Sequence, residues 1–301
     1  MKATKVLQLI LLILLIAVLA ALWLLRFLSP DPAPAPVVET PPAVTVPEAA
    51  VPTAEPAAQA APVPAEPTPE PTPEPTPEPT MDPDGPEARA LARGLPKPPE
   101  VDINSWEFLL VNKYNTIPES FEPELVNASI PGSSTPQDAR IVEPLEAFAK
   151  AALDEGLPVY LSSGYRSYAE QNYLLNLRLQ RGESYDYAVT IVAAPGTSEH
   201  QTGLSCDITD IYRNPKGHEL AQTPTYQWMS QHCQEYGFIV RYPLDKSGTA
   251  DSITGIIYEP WHFRYVGVEA ATYIMENNLC LEEFVSLYRD IYDADNPPPQ
   301  A

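Results

Sequence analysis

Proline fixes φ and removes a backbone donor, so the crowding of this chain's 37 prolines ahead of residue 100 decides at the outset how much of it can fold. Residues 29–98 are dominated by Pro, Ala, Glu, Thr and Val, and Glu66-Pro-Thr-Pro69 recurs from Glu70 and from Glu74 before fading at Thr80. Such a stretch has too few large apolar side chains to form a core. Proline at every second position holds it near polyproline II, and evenly spaced glutamates repel one another. A disordered but extended linker is therefore expected, reaching at most about 200 Å at about 3.1 Å per residue. Of the 301 residues, roughly 200 remain for one globular domain over residues 99–293, followed by a disordered tail over 294–301. That length buries a core without staples.

Ahead of the linker, Val6 to Leu25 is a run of apolar residues interrupted only by Gln8. About twenty such residues cross the hydrocarbon core of a bilayer, and the run is longer than the apolar region of a cleaved signal peptide. Residues 1–28 are thus expected to be a retained membrane anchor. Lys2 and Lys5 precede the run against the single Arg26 after it, which puts the N-terminus in the cytoplasm and the domain on the cell-wall side. Residues 99–301 carry 29 acidic and 12 basic side chains, net −17. Such a domain is repelled by nucleic acid and by anionic lipid, so neither is expected as a partner, and retention at the membrane falls to the helix.

Inside the domain, Trp106 to Tyr114 is a short apolar run ending in an Asn-Lys turn. Ile141 to Leu153 has apolar residues at helical spacing and stops before Gly156, after which Val159 to Leu161 reads as a strand. Helices are expected over Tyr168–Leu179, over Leu220–Tyr236 with a break at Pro224 and a stop at Gly237, and over Leu281–Tyr292. Leu204 to Ile208 reads as a buried strand. The β-branched and aromatic runs Ile253–Tyr258 and Phe263–Val266 read as two strand segments separated by a bend at Pro260. Helices and a few antiparallel strands in blocks predict an α+β domain, a small sheet with flanking helices.

Two distant stretches carry the chemistry: Gly196-Thr-Ser-Glu-His-Gln-Thr-Gly-Leu-Ser-Cys-Asp207 and Glu259-Pro-Trp-His262. Gly203 lets the chain turn between His200 and Asp207, so a turn and a strand bring both to one point. Each histidine alone is an ordinary polar residue near a strand end; His200, Asp207 and His262 together are a metal site. Two imidazoles and a carboxylate suit a tetrahedral Zn²⁺ with its fourth position open, the arrangement of a catalytic centre. Glu259 is then left over as a base. His218, after Pro215-Lys-Gly217, and His232, on a predicted helix, lack companions at ligand spacing and read as structural. Cys206, Cys233 and Cys280 are an odd number, so at most one disulfide is expected. Cys206 adjoins Asp207 but faces the other side of the strand, which makes it a small buried residue before it is an alternative ligand.

Ser198 to Asp207 resembles the S-x-H-x-x-G-x-x-x-D motif, and Glu259 to His262 the E-x-x-H motif, of VanY-type D-alanyl-D-alanine carboxypeptidases, a zinc peptidase family that also includes VanX-like dipeptidases and L,D-carboxypeptidases. Ser163-Gly-Tyr-Arg-Ser167, followed by Gln171, is similar to that family's S-G-Y-R-S block. The blocks stand in the family's order over about a hundred residues, and the similarity extends from about Val101 to Tyr292. Cys206 departs from the small apolar residue expected there. The resemblance implies His200, Asp207 and His262 as zinc ligands, Glu259 as general base, Arg166 as the cation at the reacting carbonyl, and Ser198 and Gln171 as substrate contacts around a single zinc cleft. It implies peptidoglycan stem peptides as substrate and loss of the terminal D-alanine as the reaction. An L,D-carboxypeptidase acting on tetrapeptide stems is the nearest alternative. A non-catalytic zinc-bearing wall-binding module is the alternative of another class, and Glu259 speaks against it, because a binding module needs no base beside its metal.

Overall fold

The computed structural model describes residues 82–133, 135–211 and 216–291. The expected anchor over residues 1–28, the linker up to residue 81 and the tail over 294–301 lie outside them. Among the described residues no helix is long and apolar enough to cross a membrane.

In chain order the elements are α1 (Pro86–Ala92), β1 (Leu125–Val126), β2 (Gln137–Asp138), α2 (Val142–Asp154), β3 (Tyr160–Ser163), α3 (Tyr168–Gln180), α4 (Tyr185–Ile191), β4 (Ser205–Thr209), α5 (Pro224–His232), β5 (Phe238–Val240), β6 (His262–Tyr265), α6 (Val268–Glu276) and α7 (Leu281–Tyr288). Strands β3, β4, β6 and β5 form one sheet in that order, with every pair antiparallel, and β1 and β2 form a separate two-stranded ribbon. The expected small antiparallel sheet with flanking helices is what the chain adopts.

Strand alternation sorts the sheet into two faces. Leu161 pairs with Ile208, Cys206 with Phe263, and Phe263 with Val240; all five are buried in one apolar cluster. Helix α2 closes that cluster with Leu145, Phe148, Ala149 and Ala152, the apolar stripe legible in the sequence. Phe148 stacks on Phe238 at 5.6 Å and meets Phe263 edge-on at 5.5 Å. On the other face the register aligns Ser163 with Asp207 and Asp207 with His262, so three polar side chains stand in one row across β3, β4 and β6. A second apolar cluster joins Ile239 to Ala270, Ile274, Leu281, Phe284 and Ala90.

Several expectations are corrected. Residues 253–258 form no strand: Gly255 takes φ +69°, and the Ile257 amide donates to the Thr190 carbonyl at 2.9 Å, so the run has β propensity but no ladder. Pro224 begins a helix instead of breaking one, because its missing N–H costs nothing at the first helical position, and Thr223 caps the turn by accepting from the Tyr226 amide. The helix from Leu281 ends at Tyr288, short of the expected Tyr292, which lies outside the described residues. Helices α4 and α6 were not expected; α4 is rich in β-branched and aromatic residues, but Ser184 caps it through the Tyr187 amide. The linker's expected end at residue 98 also moves. Pro86 starts α1, Ala90 is fully buried against the second cluster, and Arg93 donates to Ser286 on α7 at 2.8 Å.

Cys206, Cys233 and Cys280 are all free thiols, and each is buried.

Candidate active site

Gly203 ends the turn Glu199–Thr202 in the left-handed region, φ +69°, where a Cβ would stand 2.7 Å from the Asp138 nitrogen. Only glycine fits this reversal. It delivers His200 just before β4 and Asp207 within it, while His262 opens β6 directly opposite Asp207.

His200 Nδ1 lies 2.7 Å from the Gly164 carbonyl. A carbonyl only accepts, so Nδ1 carries the proton and donates, and Nε2 turns its lone pair to Asp207 Oδ2 at 3.3 Å. Gly164 must be glycine for this approach, because a Cβ there would meet the Pro136 carbonyl oxygen at 2.6 Å. On the other side of Asp207, His262 Nδ1 is 3.1 Å from Oδ1. Ligand atoms of His200, Asp207 and His262 all lie within 4.8 Å of one another, and all three residues are buried.

This donor set fits a divalent metal. Two ligands about 2.0–2.1 Å from one tetrahedral ion stand about 3.3 Å apart, close to the 3.3 and 3.1 Å between Asp207 and the two histidines. Asp207 Oδ1 and His262 Nδ1 are buried with no hydrogen-bond partner, and a cation between them would satisfy both. Burial lowers His200 to about 4, helped by the Arg166 guanidinium, which keeps it a neutral imidazole. Burial alone would raise Asp207, but the Lys216 ammonium, in contact with Oδ2, outweighs it and holds the carboxylate well below its usual range. Burial alone would lower His262, yet the carboxylates of Asp207 and Glu199 beside its ring take it up to about 9. The point between these side chains calls for positive charge.

Glu259 stands beside this cluster without belonging to it. Its Oε2 is 3.6 Å from His262 Nδ1, and the tight turn through Pro260 is closed by the His262 amide donating to the Glu259 carbonyl at 3.2 Å. Both residues sit at a bend and not on a helix, as the sequence indicated. Burial pushes the Glu259 carboxyl up to about 7, against the opposing pull of His262. A carboxyl that exchanges its proton near neutrality is suited to general-base work.

Arg166 is half-buried, and its backbone amide donates to the His200 carbonyl at 3.0 Å, which laces the two loops together. Its Nη1 donates to Gln171 Oε1 at 2.7 Å and its Nη2 to Ser163 Oγ at 3.1 Å. Gln171, on α3, passes its own amide hydrogen to the Ala193 carbonyl at 2.6 Å. Both ends of Gln171 are thereby engaged, one with the guanidinium and one with the backbone. Ser198 is buried at the cleft wall. All seven residues singled out in the sequence, Arg166, Gln171, Ser198, His200, Asp207, Glu259 and His262, line one cavity of about 450 Å³.

Other lining residues were missed. His218, read as structural, faces this cavity and stacks on Trp261 with ring centroids 6.2 Å apart. Tyr242 packs on His262 at 4.8 Å, and Arg178 reaches the cavity from α3 while paired to Glu183 at 2.7 Å. Their neighbours in space are remote in sequence, and spacing alone carries no sign of them. His232 is not among the residues lining this cavity: it stacks on Trp228 and contacts Glu235 at 2.7 Å.

Residues 136–268, a stretch holding all seven, match the family model for VanY, D-alanyl-D-alanine carboxypeptidase. A D-alanyl-D-alanine carboxypeptidase of Enterococcus faecalis is 37% identical over 193 residues, which covers 62% of this chain and 68% of that protein. Among solved structures, the LD-carboxypeptidase LdcB superposes with a TM-score of 0.56 at 34% identity, covering 64% of this chain and 94% of that one. The vancomycin-resistance D,D-pentapeptidase VanY, solved as a glutamate-to-alanine variant in complex with Zn(II), superposes with a TM-score of 0.50 at 37% identity, covering 60% of this chain and 99% of that one.

Proposed function

The chain belongs to the VanY family of D-alanyl-D-alanine carboxypeptidases, and from that premise we propose that it is a zinc-dependent D,D-carboxypeptidase that removes the terminal D-alanine from peptidoglycan stem peptides. The observation that carries this reading is the convergence, in one cavity, of three buried ligating side chains with a fourth, separate carboxyl raised to about 7.

His200, Asp207 and His262 would hold the zinc. When bound, the ion supplies Lewis acidity, polarising the scissile carbonyl and acidifying the attacking water. Glu259 takes a proton from that water as its oxygen bonds to the carbonyl carbon, and returns the proton to the departing amine as the C–N bond breaks. Arg166, clamped by Gln171 and Ser163, offers a fixed cation to the oxygen on which negative charge develops. Gln171 acts here through Arg166; Ser198, at the wall, is the residue left to touch the peptide. Two closed hydrogen bonds on the arginine mean that little reorganisation accompanies the reaction.

A second reading is favoured by the similarity to LdcB: L,D-carboxypeptidase action on tetrapeptide stems. The purified full chain is to be incubated with defined penta- and tetrapeptide stems and the products weighed by mass spectrometry. Loss of one alanine from the pentapeptide alone is the expected result. Loss from the tetrapeptide alone establishes the L,D reading, and loss from neither defeats both.

The location belongs to the same proposal: residues 1–28 hold the protein in the membrane with the domain on the cell-wall side. Full-length protein is then expected to stay in the membrane fraction at high salt. Recovery of mature protein from the medium with an N-terminus near residue 30 would refute the anchor.

A further inference from the structure

Glu199 precedes His200 in the chain and has no role in the chemistry above, yet its side chain is fully buried. Its Oε1 accepts from Arg241 Nε at 2.7 Å and from Arg264 Nη1 at 2.9 Å. Arg241 turns its two Nη groups to Glu282 on α7, at 2.9 and 2.7 Å, and Glu282 in turn accepts from Asn112 at 3.1 Å. Arg264 Nη2 donates to the carbonyls of Glu107 and Leu109, at 2.8 and 3.0 Å, and its Nε to the Tyr265 carbonyl at 2.9 Å. Two carboxylates and two guanidiniums balance, which allows all four to remain charged away from water.

The remaining oxygen of Glu199 is not accounted for by this network. Oε2 is buried without a hydrogen-bond partner, and it stands 3.6 Å from His262 Nε2, which is likewise buried and unpartnered. An acceptor with nothing to accept thus faces a ring nitrogen, on the edge of His262 opposite the Nδ1 that looks toward Asp207 and Glu259. Buried polar groups are paired as a rule, so this juxtaposition calls for a proton on Nε2. Carboxylates placed behind ligating histidines fix both the ring's orientation and its tautomer.

We propose that Glu199 is the positioning residue for His262: anchored by Arg241 and Arg264, it holds the proton on Nε2 and so presents Nδ1 to the metal. The inference rests on the metal reading above. It differs from a purely structural role, in which Glu199 is only a counter-charge to the two arginines.

Glu199→Gln tests it with a built-in direction. Arg241 and Arg264 keep the amide oxygen on their side, so the NH₂ group points at His262 Nε2 and favours the opposite tautomer. The full chain, solubilised in detergent, is titrated with zinc against a competing chelator, and thermal melting of the metal-free protein shows that each variant is folded. Zinc affinity of Glu199→Gln is expected to drop about 10- to 100-fold. Glu282→Gln removes one charge from the same network without touching His262 and is expected to bind zinc as the native chain does; an equal loss in both variants assigns Glu199 the counter-charge role and overturns the proposal. Native-like affinity in folded Glu199→Gln overturns it as well. Should that variant not fold, the native chain decides: ¹⁵N spectra of the zinc-loaded, histidine-labelled protein are expected to show a proton on Nε2 of His262 and metal on Nδ1, and the reverse assignment defeats the inference. If the native chain takes up no zinc at all, the metal reading itself falls, an outcome separate from all of these.

Discussion

His262→Ala is expected to leave the protein with no bound zinc and no peptidase activity. Among the described residues three side chains converge as ligands, so loss of one leaves His200 and Asp207 as a two-point site, and catalytic centres of this kind have no spare donor. The same outcome is expected for His200→Ala and Asp207→Ala. Metal content by mass spectrometry of the purified full chain is the measurement, with about one zinc per native chain as reference. A His262→Ala protein that kept its zinc would move the site elsewhere in the cleft, and His218 would be the first residue to inspect. Cys206 would not, because it points into the apolar cluster and burial pushes its thiol far above the ordinary range.

Glu259→Gln is expected to give the contrary combination, zinc retained and turnover lost. The amide keeps the shape of the side chain and its place in the turn, and removes only the capacity to take a proton. General-base catalysis contributes about 10²- to 10⁴-fold, so kcat should fall by at least that much while KM changes little. Stopped assays on a soluble pentapeptide, with zinc measured on the same sample, separate the cases. Near-native turnover with zinc in place would remove Glu259 from the mechanism. Zinc loss in Glu259→Gln would make the residue a ligand, which its position outside the three-residue cluster argues against.

Much of this site was legible in the chain because its parts obey short-range rules. Gly203 permits a reversal, the residues from Leu204 onward alternate as a strand, and Pro260 forbids a straight ladder; each statement needs only a few neighbouring residues. The row Ser163, Asp207, His262 follows once three strands pair. Residues 253–258 misled for the same reason, since β-branched side chains have strand propensity whether or not a partner strand exists. Helix α1 was hidden by composition: a prolyl linker and a helix with proline at its first position share the same letters. Glu199 was beyond reach in a different way. Its partners Arg241 and Arg264 lie 42 and 65 residues further along the chain, and nothing local distinguishes a glutamate destined for burial from one destined for water.

The register of the central strand carries a consequence for biogenesis. Asp207 belongs to the strand that pairs with both β3 and β6, and its neighbour Cys206 occupies the opposite, apolar face. Slippage of β4 by one residue would exchange the two, pointing a thiol at the histidines and a carboxylate into the packing around Phe148. No intermediate degree of error exists, because the side chains alternate in steps of two. A chain that assembles wrongly therefore loses the alignment of Asp207 with His262 and carries a buried, unpaired charge, so the proposed metal site and the stability of the sheet are decided by the same ladder.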